Sequence, residues 1–232
     1  MNKITVFINN RNRLSTLRGL INWLRDKSLD IVVLDNDSSY PPLIEYYKTL
    51  DFKVVMLGQN MGNTALYKWG GHMNHPGRYF IYTDSDLIPK QECPEDLVDH
   101  LVFLKQKYGD SNKVGTSLEI GDIPDHYPFK EKVVEWESKF WLNELEDSYV
   151  ADIDTTFALY DKMNDAGKRH CLTGCLRTKR PYVMRHVPWY LDVKNLDEEE
   201  SYYLKSANAV LANGRFVGMW TQKHKFFKAK IL

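Results

Sequence analysis

Two aspartates, separated by one residue, follow an apolar stretch of the chain. The segment 78-RYFIYTDSDLIP-89 runs from an aromatic strand into Asp84 and Asp86. Two carboxylates this close repel each other unless a cation compensates their charge. Mg²⁺ and Mn²⁺ accept carboxylate oxygens and commonly join them to substrate phosphates. We therefore predict that both aspartates are metal ligands and that Thr83 and Ser85 line the same site. A solvated turn or a helix cap is the alternative.

A second pair of carboxylates lies in the segment 151-ADIDTTFALY-160, which reads as a strand and its lead-in. A positioned carboxylate can act as a general base that takes the proton of an attacking hydroxyl. We expect only one of Asp152 and Asp154 to face the cleft. We predict that Asp154 is the base, with Asp152 as the second candidate. The competing interpretation is that both aspartates have a structural role, in which they cap an element of secondary structure or form salt bridges.

Histidine and basic side chains follow in a stretch without acids, between residues 165 and 192. We predict that His186, close to Pro188 and Trp189, is the third metal ligand, because imidazole binds divalent metals. A packed histidine–tryptophan pair is the alternative. Six basic residues of the stretch could compensate the charge of a diphosphate. They are Lys168, Arg169, Arg177, Lys179, Arg180 and Arg185.

The elements that position these residues alternate between strand and helix in the first half. The predicted strands are 4–8, 30–34, 53–57, 79–82, 113–118 and, together with its lead-in, 152–160. The predicted helices are 14–24, 43–50, one that ends near 71, 97–108 and 133–145. Such alternation of short apolar strands with helices builds a mostly parallel sheet covered on both faces. The fold class is therefore α/β and Rossmann-like, with a mixed second half.

Every predicted strand of the first half ends in a polar cluster. The clusters are 9-NNRNR-13, 35-DNDSS-39, 58-GQNMG-62 and 83-TDSD-86. Ligands of parallel α/β sheets bind outside the carboxyl ends of the strands. The sequence therefore predicts one binding site at which the four clusters meet.

Composition favours one domain over residues 1–232, with a ligand-binding half at 1–90 and a second half at 91–232. The chain is 43% hydrophobic and has 31 basic and 31 acidic side chains, so we predict no nucleic-acid partner. No signal peptide or membrane span is visible, and three cysteines fit a reducing compartment, so we expect a cytoplasmic protein. The basic tail 223-KHKFFKAKIL-232 leaves peripheral contact with an anionic membrane open.

The order of the motifs resembles the nucleotide-sugar half of the GT-A glycosyltransferases, in particular the family 2-like inverting enzymes. The matching motifs are Asp35-Asn36, Asn60-x-Gly62 and Asp84-x-Asp86. They match in order and spacing over about residues 3–90. The later segments 151–160 and 185-RHVPWY-190 resemble a smaller group of short GT-A enzymes from polysaccharide clusters and large DNA viruses.

The resemblance implies a GT-A fold and a bound Mn²⁺ or Mg²⁺. It also implies inverting transfer of a sugar from a nucleoside diphosphate, with UDP expected, to a hydroxyl of a glycan or lipid-linked glycan. Asp86 would be the direct metal ligand, Asp84 would face the ribose and the metal, and Asp35 would accept a hydrogen bond from the nucleotide. The other residues assigned to the donor site are Asn9, Arg11, Asn36, Asn60, Gly62, Lys68, Thr83 and Ser85.

The chain departs from the family pattern after the third strand, where Tyr67 and Lys68 stand in place of a usual polar pair. A family carboxylate dyad and a Gln-x-x-Arg-Trp helix end are also missing from the second half.

Two functions other than a glycosyltransferase stay open. The first is a nucleotidyltransferase, although 8-INNRNR-13 lacks the glycine expected after the first strand. The second is a non-catalytic module that binds a nucleotide sugar or glycan. No dinucleotide-binding, P-loop or nucleophile-elbow motif is present.

Overall fold

An eight-stranded sheet and a three-stranded sheet organise the protein, whose computed structural model describes residues 3–154 and 156–212. The strands are β1 (Ile4–Asn10), β2 (Leu29–Asp35), β3 (Lys53–Met56), β4 (Tyr79–Asp84), β5 (Leu87–Pro89), β6 (Lys113–Gly115), β7 (Ser117–Leu118), β8 (Ser148–Val150), β9 (Ala158–Asp161), β10 (Leu176–Thr178) and β11 (Val183–His186). The helices are α1 (Ser15–Arg25), α2 (Pro41–Tyr47), α3 (Ala65–Trp69), α4 (Leu97–Lys107), α5 (Lys130–Ser138), α6 (Asp165–Lys168) and α7 (Glu198–Ala212).

The large sheet has the strand order β3-β2-β1-β4-β9-β6-β10-β8. β1 pairs in parallel with β2 and with β4, and β2 pairs in parallel with β3. Their central residues are apolar and buried, as expected for strands that helices cover on both faces. The predicted α/β fold with a mostly parallel central sheet is therefore confirmed.

Helix α1 shows why the spacing in its sequence predicts a helix. Leu17, Leu20, Ile21 and Leu24 recur at intervals of three and four residues, and all four are buried. These intervals bring the four side chains to one face of the helix, which packs into the core. Helix α5 is shorter than predicted, because the chain turns into a 3₁₀ segment at Lys139–Trp141.

The second half of the chain completes the large sheet, because β9 lies antiparallel between β4 and β6. The rings of Phe80 on β4 and Tyr160 on β9 stack with centroids 5.1 Å apart. The predicted strand with its lead-in at 152–160 is observed, and the strand itself, β9, begins at Ala158. Residues 152–154 form an irregular lead-in.

The predicted strand 113–118 divides between the two sheets after Gly115. A Cβ atom at Gly115 would lie 2.8 Å from the Cβ atom of Ala158, so a side chain has no room where β6 meets β9. Beyond this point the backbone N–H of Thr116 donates to the carbonyl of Phe157, and β7 joins the small sheet. The small sheet has the order β5-β11-β7, and β5 follows directly after Asp86.

The chain has two compact units, one that extends to Asn195 and one that begins at Leu196. The second unit contains α7. A single domain over residues 1–232 stays a prediction, and the basic tail 223–232 lies outside the described residues. Among the described residues, no helix is both long and apolar enough to cross a membrane.

Candidate functional site

Strand register brings the first predicted site residues together at one sheet edge. Asn9 lies opposite Asp84 across β1 and β4, and Asn10 lies opposite Asp35 across β1 and β2. The Nδ2 atom of Asn9 donates to Oδ1 of Asp84 at 3.0 Å. The polar clusters after the first, second and fourth strands therefore meet, as the sequence predicts.

Asp86 and His186 are brought together by the small sheet. Strand β11 pairs with β5 so that His186 lies opposite Leu87, the residue after Asp86. The backbone N–H of Val187 donates to the carbonyl of Asp86 at 2.9 Å. The Nε2 atom of His186 lies 3.6 Å from Oδ2 of Asp86. Burial lowers the pKa of His186, although Asp86 acts in the opposite direction, so the imidazole is in its neutral, metal-binding form at pH 7.

The Asp86–His186 pair fits a divalent cation by its donor atoms. Oδ1 of Asp86, Nδ1 of His186 and Oδ1 of Asn9 are buried and have no hydrogen-bond partner among the described residues. Buried polar atoms without a partner are rare and point to a missing ligand or water. No group of three His, Cys, Asp or Glu side chains in the described part of the chain is arranged as a metal site. The predicted set with Asp84 as third ligand is therefore not preassembled.

Asp35 is buried in a network within the protein. Its Oδ1 accepts from the backbone N–H of Ser38 at 3.0 Å, and its Oδ2 accepts from the hydroxyl of Tyr47 at 2.8 Å. Asn10 also donates to that hydroxyl at 2.7 Å. In the structure Asp35 holds the end of β2 against α2, and a contact with a nucleotide stays a prediction.

The loop after β1 is tied to the loop after β2. Oδ1 of Asn12 accepts from the backbone N–H groups of Ser39 and Tyr40, at 2.7 and 3.0 Å. Asn12 adopts a φ of 53°, a left-handed conformation that asparagine tolerates better than most residues. Arg11, predicted to bind the nucleotide, is half-buried in the same loop.

Asn36 clamps the turn that follows β3. Its Oδ1 accepts from the backbone N–H of Met61 at 2.6 Å, and its Nδ2 donates to the carbonyl of Gly62 at 3.1 Å. Within the turn, Oδ1 of Asn60 accepts from the N–H of Gly62, and Lys68 donates to the carbonyl of Met61. Gly62 has a φ of 70°, which glycine adopts without strain. The Asp-Asn and Asn-x-Gly motifs therefore bind each other directly.

Thr83 and Ser85 flank Asp84, and both side chains are buried. The hydroxyl of Thr83 donates to the carbonyl of Asp84 at 2.9 Å, and the N–H of Ser85 donates to the carbonyl of Asn9 at 3.1 Å. They support the end of β4, and their contact with a ligand stays a prediction.

The candidate bases Asp152 and Asp154 are both exposed, with Ile153 fully buried between them. The reasoning that only one of them can face the cleft is corrected, because residues two apart in an extended chain project to the same side. Which of the two serves as the base stays a prediction. Oδ1 of Asp154 accepts from Nδ2 of Asn63 at 3.0 Å and lies 3.5 Å from Nε2 of His170. The sequence analysis did not assign Asn63, although it directly follows the Asn-x-Gly turn.

Lys113 is a buried residue that the sequence analysis also missed. Its side chain is fully buried, and its Nζ donates to the carbonyl of Asp154 at 3.0 Å and to the hydroxyl of Tyr160 at 3.2 Å. Burial lowers the pKa of Lys113 to about 8. A lysine in an otherwise apolar short strand is the sequence signal that could have revealed it.

Most of the basic stretch is neutralised within the protein. Four of its side chains form ion pairs with carboxylates: Arg177 with Glu137, Lys179 with Glu144, Arg180 with Glu119, and Arg185 with Asp122. A carboxylate partner offsets the charge that a diphosphate would need. Compensation of a diphosphate by this stretch stays a prediction, and the charge of these four side chains is already offset within the protein.

The family model for glycosyl transferase family 2 matches residues 5–162. The matched range includes every residue predicted as donor-binding residue, metal ligand or base except His186, and the six basic residues at 168–185 also lie outside it. A comparison with curated proteins finds no significant match.

Two solved structures are distant matches. The crystal structure of GalNAc-T7 with UDP, GalNAc and Mn²⁺ shares 22% identity and a TM-score of 0.31, over 37% of this chain and 18% of its own. The chain thus spans about a fifth of its length. The 4-diphosphocytidyl-2C-methyl-D-erythritol synthase from Anaerococcus prevotii shares 10% identity and a TM-score of 0.42, over 88% of this chain and 96% of its own. Both TM-scores are too low to bear on function.

Proposed function

The chain belongs to glycosyl transferase family 2, and from this premise we propose that it transfers a sugar from a nucleoside diphosphate donor in a metal-dependent reaction. The expected donor nucleotide is UDP, the expected metal is Mn²⁺ or Mg²⁺, and the expected acceptor is a hydroxyl of a glycan or lipid-linked glycan. We further propose that transfer inverts the configuration of the sugar.

The observation that carries the proposal is the Asp86–His186 pair at the carboxyl edge of β4. A carboxylate and a neutral imidazole lie 3.6 Å apart there, and each has a second buried metal-binding atom that has no hydrogen-bond partner within residues 3–154 and 156–212. Such an arrangement suits a divalent cation that completes its coordination with water and substrate phosphates. When bound, the cation would neutralise charge on the diphosphate leaving group. Asp86 and His186 would hold it, and Asp84 would face the ribose beside it.

The proposed reaction needs one proton acceptor from the protein. The oxygen of the acceptor forms a bond with the anomeric carbon, and the bond from that carbon to the phosphate oxygen breaks. The hydroxyl proton passes to Asp154, and the nucleoside diphosphate leaves with the bonding electron pair. Asp154 suits this role because its side chain is exposed and next to the turn after β3. Asp152 is the second candidate.

A binding experiment tests the metal and the donor together. We expect UDP to bind with a dissociation constant that falls at least about tenfold when Mn²⁺ is added, measured by isothermal titration calorimetry, because Asp86 and His186 would hold a cation that offsets the charge of the diphosphate. Asp86→Ala and His186→Ala should each remove the Mn²⁺ effect. Asp125→Ala is a matched control, because Asp125 is an exposed acid in the same half of the chain and pairs with Lys130.

Turnover is tested with a panel of UDP-hexoses and Mn²⁺, in which slow hydrolysis of the donor reports transfer to water. Hydrolysis that disappears with a chelator supports the proposal. UDP-hexoses that neither bind nor hydrolyse in a metal-dependent way contradict it. Release of inorganic diphosphate from a nucleoside triphosphate would instead indicate a nucleotidyltransferase.

A further inference from the structure

We propose that Asn63 and His170 are positioning residues for Asp154, which hold its Oδ1 atom and leave Oδ2 to receive the proton of the attacking hydroxyl. This inference rests on the proposed function, in which Asp154 is the base. It adds two residues that neither the family motifs nor the sequence analysis assigns.

The side-chain contacts of the Asp154 carboxylate involve one of its two oxygens, Oδ1. Asn63 donates to Oδ1 at 3.0 Å, and Nε2 of His170 lies 3.5 Å from the same oxygen. The side chain of Asp154 is 62% exposed, and no contact of Oδ2 within the described residues accompanies those of Oδ1. Because Oδ1 is held and the side chain as a whole is largely exposed, the carboxylate has a defined orientation that leaves Oδ2 as the reachable base.

The backbone of Asn63 is itself held by a hydrogen bond from strand β4. It follows the Asn-x-Gly turn, and its backbone carbonyl accepts from the hydroxyl of Tyr82 at 3.0 Å. Tyr82 is fully buried in β4, two residues before Asp84. Asn63 thus joins the base to the strand that carries Asp84, so the donor side and the base share one rigid support.

His170 is fixed by packing. Its ring contacts the ring of Tyr67 in a T-shaped arrangement with centroids 6.2 Å apart, and Tyr67 donates to the carbonyl of Ala166 at 2.8 Å. The backbone at Asp154 is fixed separately, because the buried Lys113 donates to its carbonyl at 3.0 Å. The base is therefore held through its main chain by one residue and through its side chain by two.

The charge state of His170 matters to the base. The groups that face it are Asp154, Lys113 and Tyr67. Burial lowers the pKa of His170, Asp154 raises it and Lys113 lowers it, so the ring is neutral at pH 7. A neutral ring orients the carboxylate and leaves its negative charge intact. A protonated ring would form an ion pair with Asp154 and weaken it as a base.

The test measures hydrolysis of the UDP-hexose that the wild-type protein turns over fastest, together with binding of UDP and Mn²⁺. We expect Asn63→Ala to lower kcat about tenfold, as for the loss of one hydrogen bond to a charged group, and His170→Ala to lower it by about three- to tenfold, as for the loss of a close polar contact. The KM of the donor should stay within about twofold in both variants. His170→Gln keeps a donor group that cannot titrate. It should restore kcat at pH 7.5 to within about threefold of wild type and shift the acid limb of the pH profile of kcat.

The Asp154→Asn background separates positioning from a general structural role. In that background Asn63→Ala and His170→Ala should cause no further loss, because the base they position is absent. Unchanged kcat in both single variants, or an equal loss in the Asp154→Asn background, would overturn the inference. If Asp154→Asn lowers kcat but the two other variants do not, the inference fails and the proposed function stands. If the wild-type protein shows no metal-dependent binding or hydrolysis, the proposed function itself fails.

Discussion

Asp152 and Asp154 form a matched pair for testing the base, because both are exposed and only two residues apart. They differ in their contacts, since only the carboxylate of Asp154 is held by Asn63. We expect Asp154→Asn to lower donor hydrolysis at least about 100-fold, the usual contribution of a general base, and Asp152→Asn to lower it less than about threefold. Binding of UDP and Mn²⁺ should be unchanged in both variants. The reverse ranking would move the role of base to Asp152.

Lys113 gives the protein a stability that depends on pH. The pKa of a lysine in the unfolded chain is about 10.4, and burial lowers that of Lys113 to about 8 in the folded protein. Between these values the unfolded chain holds a proton that the folded protein has lost, so the free energy of unfolding rises with pH. We expect Lys113 to contribute a rise of about 1 kcal/mol between pH 7 and pH 9.

Urea unfolding at a series of pH values measures this contribution as a difference between proteins. Lys113→Met should remove the rise, whereas Lys48→Met should keep it, because Lys48 is exposed and pairs with Glu45. Equal slopes for Lys113→Met and wild type would show that Lys113 keeps an ordinary pKa in the folded protein.

At the scale of elements, the turn after β3 depends on a side chain from the end of β2. Asn36 is buried and makes two hydrogen bonds to the backbone of this turn. We expect Asn36→Ala to lower the free energy of unfolding by about 2 kcal/mol. The substitution removes the hydrogen-bond partner of the Met61 N–H and of the Gly62 carbonyl, and both hydrogen bonds are partly buried. Asn60→Ala removes one hydrogen bond from the same turn and should cost about 1 kcal/mol or less. A larger loss for Asn60→Ala than for Asn36→Ala in urea unfolding would contradict this ranking.

The first four strands could be predicted from sequence because their signals are local. Each is a short apolar run that ends in a polar cluster, and parallel pairing then places the cluster ends together. The family match over residues 5–162 confirms the resemblance drawn from those clusters. The split of 113–118 into β6 and β7 could not be predicted in this way, because it follows from the contact of Gly115 with Ala158, more than 40 positions later.

The same distinction applies to the site. Asp84 and Asp86 stand out because two close carboxylates after an apolar strand demand an explanation. His186 could be proposed by residue type, but its approach to Asp86 depends on the pairing of two short strands, β5 and β11, that carry little local signal. Asn63 acts through one long-range hydrogen bond to Asp154, which no pattern in one sequence reveals. Lys113 stands out as a lysine in a short apolar strand, but that local signal does not reveal its hydrogen bond to the carbonyl of Asp154.

At the scale of the molecule, the two halves of the first compact unit share one sheet. Strand β9 from the second half covers the edge of β4 and is followed outward by β6. The side that binds the donor in our proposal and the side that supplies the base are therefore parts of one folded layer. This shared sheet explains how Asp84, at the end of β4, and Asp154, before β9, can be held on one support.

The shared sheet predicts that the ligand-binding half does not fold alone. A fragment of residues 1–90 would leave β4 as an exposed edge strand and uncover Phe80, which stacks on Tyr160 in the whole chain. We expect this fragment to show no cooperative transition in urea by circular dichroism, whereas the full chain unfolds cooperatively. Phe80→Ala in the full chain should lower the free energy of unfolding by about 3 to 5 kcal/mol, because Phe80 is fully buried. A fragment that unfolds cooperatively and binds UDP would instead show that the first half is an independent nucleotide-binding module, whose fold does not depend on β9.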